Sequence, residues 1–121
     1  MHKLEDLKVW NKGIELATKV YEVTKSMPND EKFNLVSQMR RCAVSIPSNI
    51  AEGAGRNTDK QFLQFLSHSN GSSYELLTQT IIAKKTKVLT QEIADDLIND
   101  IQEIQKMNFG FTQMLKSKSN I

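Results

Sequence analysis

The sequence predicts an all-α fold, an antiparallel up-down-up-down four-helix bundle. Three observations predict it. Apolar residues recur at spacings of three and four in four successive stretches. Turn chemistry at Ser26-Met27-Pro28-Asn29 and Gly53-Ala54-Gly55, with Thr90 as a helix cap, separates those stretches. No strand-like alternation of useful length interrupts the 121 residues. Four helices of roughly 20 to 28 residues with short connections pack side by side in alternating direction, and residues 1–121 read as a single four-helix-bundle domain.

The first stretch runs from about Leu4 to Ser26. Leu7, Trp10, Ile14, Ala17 and Tyr21 form one helical face, and Val9, Leu16, Val20 and Val23 widen it. Pro28 disfavours helix at the residue before it, so the stretch stops there. Asn29 or Asp30 then caps the second stretch, with Glu31 in its first turn. Its apolar row is Leu35, Met39, Cys42, Ile46 and Ile50. Pro47 lies inside it, lacks an N–H and predicts a kink. Gly53-Ala54-Gly55 reads as its end, where a glycine suits a left-handed closing residue.

Thr58-Asp59-Lys60-Gln61 reads as a capping box that opens the third helix. The run Ser67-His68-Ser69-Asn70-Gly71-Ser72-Ser73 is a poor helix former, but phase favours continuity. Phe62, Leu66, Ser69, Ser73, Leu76, Thr80 and Ala83 keep one unbroken rhythm through it. A continuous helix is therefore expected, with small residues that let a neighbour approach closely. In the fourth stretch Ile93, Leu97, Ile101, Ile104, Phe111 and Leu115 form the buried row. Val9, Leu16, Val23, Ile98, Met107, Phe109 and Met114 exceed what a bundle core requires, and this surplus leans toward a homo-oligomer.

Composition narrows the function. With 39% hydrophobic and 25% charged residues, the chain is neither disordered nor a membrane protein. No apolar run approaches the roughly 20 residues of a membrane span, and MHKLEDLKVW has no signal-peptide core, so a soluble, cytoplasmic protein is expected. Cys42 is the one cysteine, and His2 and His68 are the two histidines. No disulfide framework, zinc cluster or other metal site follows from them. Asp95, Asp96, Asp100 and Glu103 read as a solvated acidic face, because no Glu-x-x-His motif accompanies them. No phosphate loop, dinucleotide fingerprint or nucleophile elbow is present. The expectation is a protein without enzymatic activity and without a cofactor.

Charge is nearly balanced, 16 Lys and Arg against 14 Asp and Glu, but it is unevenly distributed. A basic zone and an acidic zone are expected on the surface. Arg40, Arg56, Lys60, Lys84, Lys85 and Lys87 are the candidate phosphate contacts, although lysines near a helix end are often simply solvated. Arg41, Ser45, Ser48, Glu52 and Arg56 fall three or four apart in a polar stripe, with Asn49 beside it. One reading is structural: Arg41 or Arg56 pairs with Glu52, while Ser45 and Asn49 satisfy backbone groups freed by Pro47. The other is an intersubunit or ligand-binding patch.

The segment Gln38-Met39-Arg40-Arg41-Cys42-Ala43-Val44-Ser45-Ile46-Pro47-Ser48-Asn49-Ile50-Ala51-Glu52-Gly53-Ala54-Gly55-Arg56 is the least generic part of the chain. It resembles the signature of the four-helix-bundle proteins encoded in intervening sequences of 23S ribosomal RNA genes, approximately Q-x-R-R-A-x-x-S-I-P-x-N-I-A-E-G-x-x-R, with Cys42 where alanine is usual. Leu7-Lys8-Val9-Trp10, Phe65-Leu66, Gly71-Ser72 and Glu75-Leu76 extend the likeness. The resemblance implies a bundle that commonly forms a homopentameric ring. It also implies kinship with the accessory proteins of diversity-generating retroelements, which use a basic surface to engage nucleic acid and a reverse transcriptase. The resulting expectation is a non-enzymatic, RNA- or DNA-associated oligomer; the alternative is a scaffold that binds a partner protein and no nucleic acid.

Overall fold

A computed structural model describes residues 2–119. Four long helices dominate it: α1 (Lys8–Thr24), α2 (Ser37–Ala54), α3 (Asp59–Lys85) and α4 (Gln91–Ser119). Cross-helix partners give their directions. Thr24 meets Arg40 and Gly13 meets Pro47, so residue numbers rise on α1 as they fall on α2. The same opposition links α2 to α3 through Cys42–Gln79, Ser45–Ser72 and Ile46–Ser69. It links α3 to α4 through Lys84–Asp95, Ser73–Gln105 and Leu66–Asn108. Lys12–Glu103 and Lys19–Asp96 close α4 against α1.

The core row of α1 is not the one its strongest apolar residues suggest. Val9, Gly13, Leu16, Val20 and Thr24 are buried, whereas Ile14 and Tyr21 are exposed. Val9 and Leu16, read from the sequence as surplus, belong to the core. Pro47 explains the rotation. Its ring packs against Gly13, where an added Cβ would lie 3.1 Å from Pro47 Cβ, so this face of α1 must turn inward. α2 itself is continuous through Pro47.

Between α1 and α2 the chain does not enter an α-helix directly. Asn29–Glu31 is a 3-10 turn and Lys32–Val36 a π-turn, and neither Asn29 nor Asp30 acts as a side-chain cap for α2. At the other end of α2 no glycine has a positive φ. Gly53 serves close packing instead, against Phe62 and Phe65 of α3.

α3 follows its sequence pattern closely. Thr58 accepts a hydrogen bond from the Gln61 amide at 3.2 Å, as a capping residue should. The helix is unbroken through the serine-rich stretch, and the whole row Phe62, Leu66, Ser69, Ser73, Leu76, Thr80 and Ala83 is buried. The small polar residues are satisfied: Ser69 Oγ donates to the Ile46 carbonyl at 2.9 Å, and Ser73 Oγ accepts from Gln105 at 3.2 Å. α3 ends in a Schellman arrangement. The Lys87 amide bonds the Lys84 carbonyl, the Val88 amide bonds the Ala83 carbonyl, and Lys87 takes the left-handed conformation at φ 65°. Thr90 accepts from the Ile93 amide at the start of α4. There Leu97, Ile101, Ile104 and Leu115 are fully buried, and Ile93 and Phe111 pack partly buried against the core.

Candidate nucleic-acid interface

The six candidate cations do not form one surface. Lys60 sits near the start of α3 and Lys85 at its end, and 25 residues of helix separate them by about 38 Å. Three of the six have partners. Arg40 Nε donates to Thr24 Oγ1 at 2.9 Å and its guanidinium lies over the Tyr21 ring at 4.6 Å. Arg56 pairs with Glu52 at 3.4 Å and stacks on Phe65 at 4.8 Å. Lys84 pairs with Asp95 across the α3–α4 turn. Lys60, Lys85 and Lys87 stand exposed with no ion pair among the described residues.

The acidic zone is largely neutralised within the chain. Asp100 meets both Lys19 and Lys12, Asp96 meets Lys19, and Glu103 meets Lys12. Burial alone would raise the Asp100 pKa, but the Lys19 hydrogen bond and the two ammonium charges hold it below the usual range. Burial likewise disfavours charged Lys12 and Lys19, and their carboxylate partners override it and raise both. What the sequence shows as a solvated acidic face is thus an ion-pair seam between α1 and α4.

The polar stripe on α2 is mostly structural. Asn49 Nδ2 donates to the Ser45 carbonyl at 2.8 Å and to Ser45 Oγ at 2.9 Å, and the Ser45 and Ser72 hydroxyls meet at 2.9 Å. The carbonyl that Pro47 deprives of its helical donor belongs to Ala43, one turn back, so Asn49 reinforces the helix beside that gap rather than filling it. Arg56, not Arg41, takes Glu52; Arg41 is exposed. Cys42 is buried between Glu75 and Gln79, with Sγ 3.5 Å from Glu75 Oε2 and 3.4 Å from Gln79 Nε2. Burial pushes its thiol pKa up, against the pull of the Gln79 hydrogen bond, the opposite of what a nucleophilic cysteine needs. No cluster of three His, Cys, Asp or Glu among the described residues could hold a metal ion, and no described helix is long and apolar enough to cross a membrane.

Two grooves gather the remaining chemistry. One lies at the α1–α2 edge, lined by Tyr21, Lys32, Phe33, Arg40, Arg41 and Val44, with Val36 and Ser37 beneath, about 500 Å³ in volume and without a carboxylate in its wall. Arg40 and Arg41 were legible there, but Lys32 and Phe33 were not. Their signal was a phenylalanine out of phase with the Leu35, Met39 and Cys42 row. The other lies between α3 and α4, where Lys60 and Lys116 flank Leu63, Phe109 and the amides of Asn70 and Asn108.

Comparison with known proteins places this geometry. The fold matches the crystal structure of a Bacteroides thetaiotaomicron VPI-5482 protein of unknown function from the S23 ribosomal protein family, with a TM-score of 0.81 and 24% identity over 87% of this chain and 95% of that one. No match was found among curated proteins. Residues 5–110, which include the whole α2 signature and most of α4, match the family described as 23S rRNA-intervening sequence protein, and the chain belongs to that family.

Proposed function

We propose that this chain is a non-enzymatic helical bundle that assembles into a homo-oligomer, a pentameric ring favoured, and associates with RNA as an accessory protein. The observation that carries the nucleic-acid part is the α1–α2 groove, where Lys32, Arg40 and Arg41 converge with no carboxylate in the lining. Exposed Lys60, Lys85 and Lys87 add to the positive field, and a ring multiplies each modest patch by symmetry. Self-assembly is supported on the opposite edge. Tyr74 and Phe109 line a shallow depression between α3 and α4, and Phe109 is 66% exposed. Large exposed aromatics of this kind are the anchors that interfaces use.

The test is a titration of fluorescent structured RNA at about 50 and 200 mM salt, since phosphate contacts release counterions and weaken steeply with salt. Micromolar binding that collapses at the higher salt is expected. Charge reversal at Lys32 and Arg41 should weaken it without changing oligomer mass. No binding at the lower salt overturns the nucleic-acid reading. The second reading, a scaffold for a partner protein, is favoured by the same Tyr74 and Phe109. A monomeric mass by light scattering at micromolar concentration removes the ring and leaves that apolar edge for a partner.

A further inference from the structure

The α1–α2 groove carries more than charge. Phe33 is 90% exposed, although phenylalanine is ordinarily drawn into a core. The π-turn over Lys32–Val36 sets it apart from Val36, which is buried. Tyr21, also exposed, lies beneath the Arg40 guanidinium, and the Lys32 ammonium sits 5.5 Å from the centre of the Phe33 ring. Two rings, each with a cation beside it, therefore line one shallow surface. A duplex hides its base faces and needs only cations for backbone contact. A single strand offers unstacked bases between phosphates, and sites that hold it combine aromatic platforms with a positive track.

We propose that this groove binds single-stranded nucleic acid. One base stacks on Phe33, another on the Arg40–Tyr21 pair, and Lys32 and Arg41 meet the intervening phosphates. The inference rests on the nucleic-acid reading above and narrows it to unpaired strands. Charge complementarity favours a polyanion over a second copy of the chain, because Lys32 and Arg41 pair with no carboxylate among the described residues. A second copy seated there would have to bring carboxylates of its own to both cations or bury them unpaired.

The experiment measures anisotropy of a labelled oligouridylate and of a duplex RNA of equal length, at about 50 mM salt. Phe33→Ala, at an exposed position, should keep the helical circular-dichroism spectrum. It should weaken single-strand binding by roughly five-fold to a hundred-fold, the loss of one stacked base, and leave duplex binding unchanged. Phe33→Tyr should restore the affinity. Wild-type affinity in Phe33→Ala, with both RNAs weakened by Lys32→Glu and Arg41→Glu, overturns the stacking inference and leaves the nucleic-acid reading standing. No binding of either RNA by the wild type overturns both. A lower oligomer mass in Phe33→Ala at unchanged RNA affinity shows that a second copy covers the groove, and also overturns it.

Discussion

Gly53 of α2 approaches Phe62 of α3 so closely that a Cβ on residue 53 would come within 2.7 Å of Phe62 Cδ1 and 2.8 Å of Phe65 Cβ. The turn between these helices leaves little room for either to retreat. Gly53→Ala should therefore cost about 1 to 3 kcal/mol, read as a lower urea midpoint. Gly71, in the middle of α3, is the counterpart, with nothing within 4 Å of an added Cβ. Gly71→Ala should gain about 0.5 to 1 kcal/mol from backbone entropy alone. A loss at Gly71 would reveal a neighbour seated on that face.

The α1–α4 seam should make stability depend on pH at both extremes. Asp100 has a depressed pKa in the folded chain, so its contribution is complete above the unfolded value of about 3.9 and is lost as pH falls through the lower folded value. Lys12 and Lys19 are raised. Their contribution is complete below about 10.4 and is lost as pH rises through the folded values. Asp100→Asn should cost about 1 to 2 kcal/mol at neutral pH. Its deficit relative to the wild type should vanish in acid, where the wild-type carboxyl is itself neutral. An equal deficit at every pH would mean that the loss is one of packing.

Cys42 should be slow to react. Its thiol is buried and its pKa raised, so at pH 8 a disulfide reagent should label the folded chain far more slowly than the urea-unfolded one. Cys42→Ala should cost no more than about 1 kcal/mol. Labelling as fast in the folded chain as in urea would contradict the burial.

Lys87 occupies the left-handed position that closes α3, a place where glycine is the common occupant. Lys87→Gly relieves the Cβ strain and loses some of that gain to unfolded-state entropy. The net expectation is about 0.5 to 1 kcal/mol of added stability in thermal unfolding. Unchanged RNA affinity in this variant would remove Lys87 from the polyanion surface while leaving Lys32 and Arg41 in place.

These outcomes bear on what the sequence could disclose. The α3 row was legible because its polar members, Ser69, Ser73 and Thr80, kept phase with its apolar ones, and each is buried with a hydrogen bond. The α1 row was not, because two apolar rows lie side by side and the buried one contains Gly13 and Thr24, which count for little in any hydropathy pattern. Only the Pro47 ring on the facing helix selects between them. The ion-pair seam was hidden for a different reason. Lys12 and Asp100 stand 88 positions apart, and composition shows an acidic run without showing what faces it. The candidate groove was half legible: Arg40 and Arg41 stood out in the α2 signature, whereas Phe33 gained its meaning from a π-turn that no periodicity announces.

The α1–α4 seam also governs how the two helices align. Ile93, Leu97, Ile101 and Ile104 are spaced so evenly that sliding α4 by one turn, about 5.4 Å, would put each near the place its neighbour left. Apolar burial distinguishes such alignments poorly. The charges distinguish the slip in one direction: Lys12 and Lys19 are two turns apart, as are Asp96 and Glu103. A slip that brings Lys106 to the place of Glu103 sets it against Lys12 and puts Asn99 where Asp96 met Lys19. The ion pairs thus serve as a register key as well as a source of stability, rejecting an alignment that a greasy interface alone would accept.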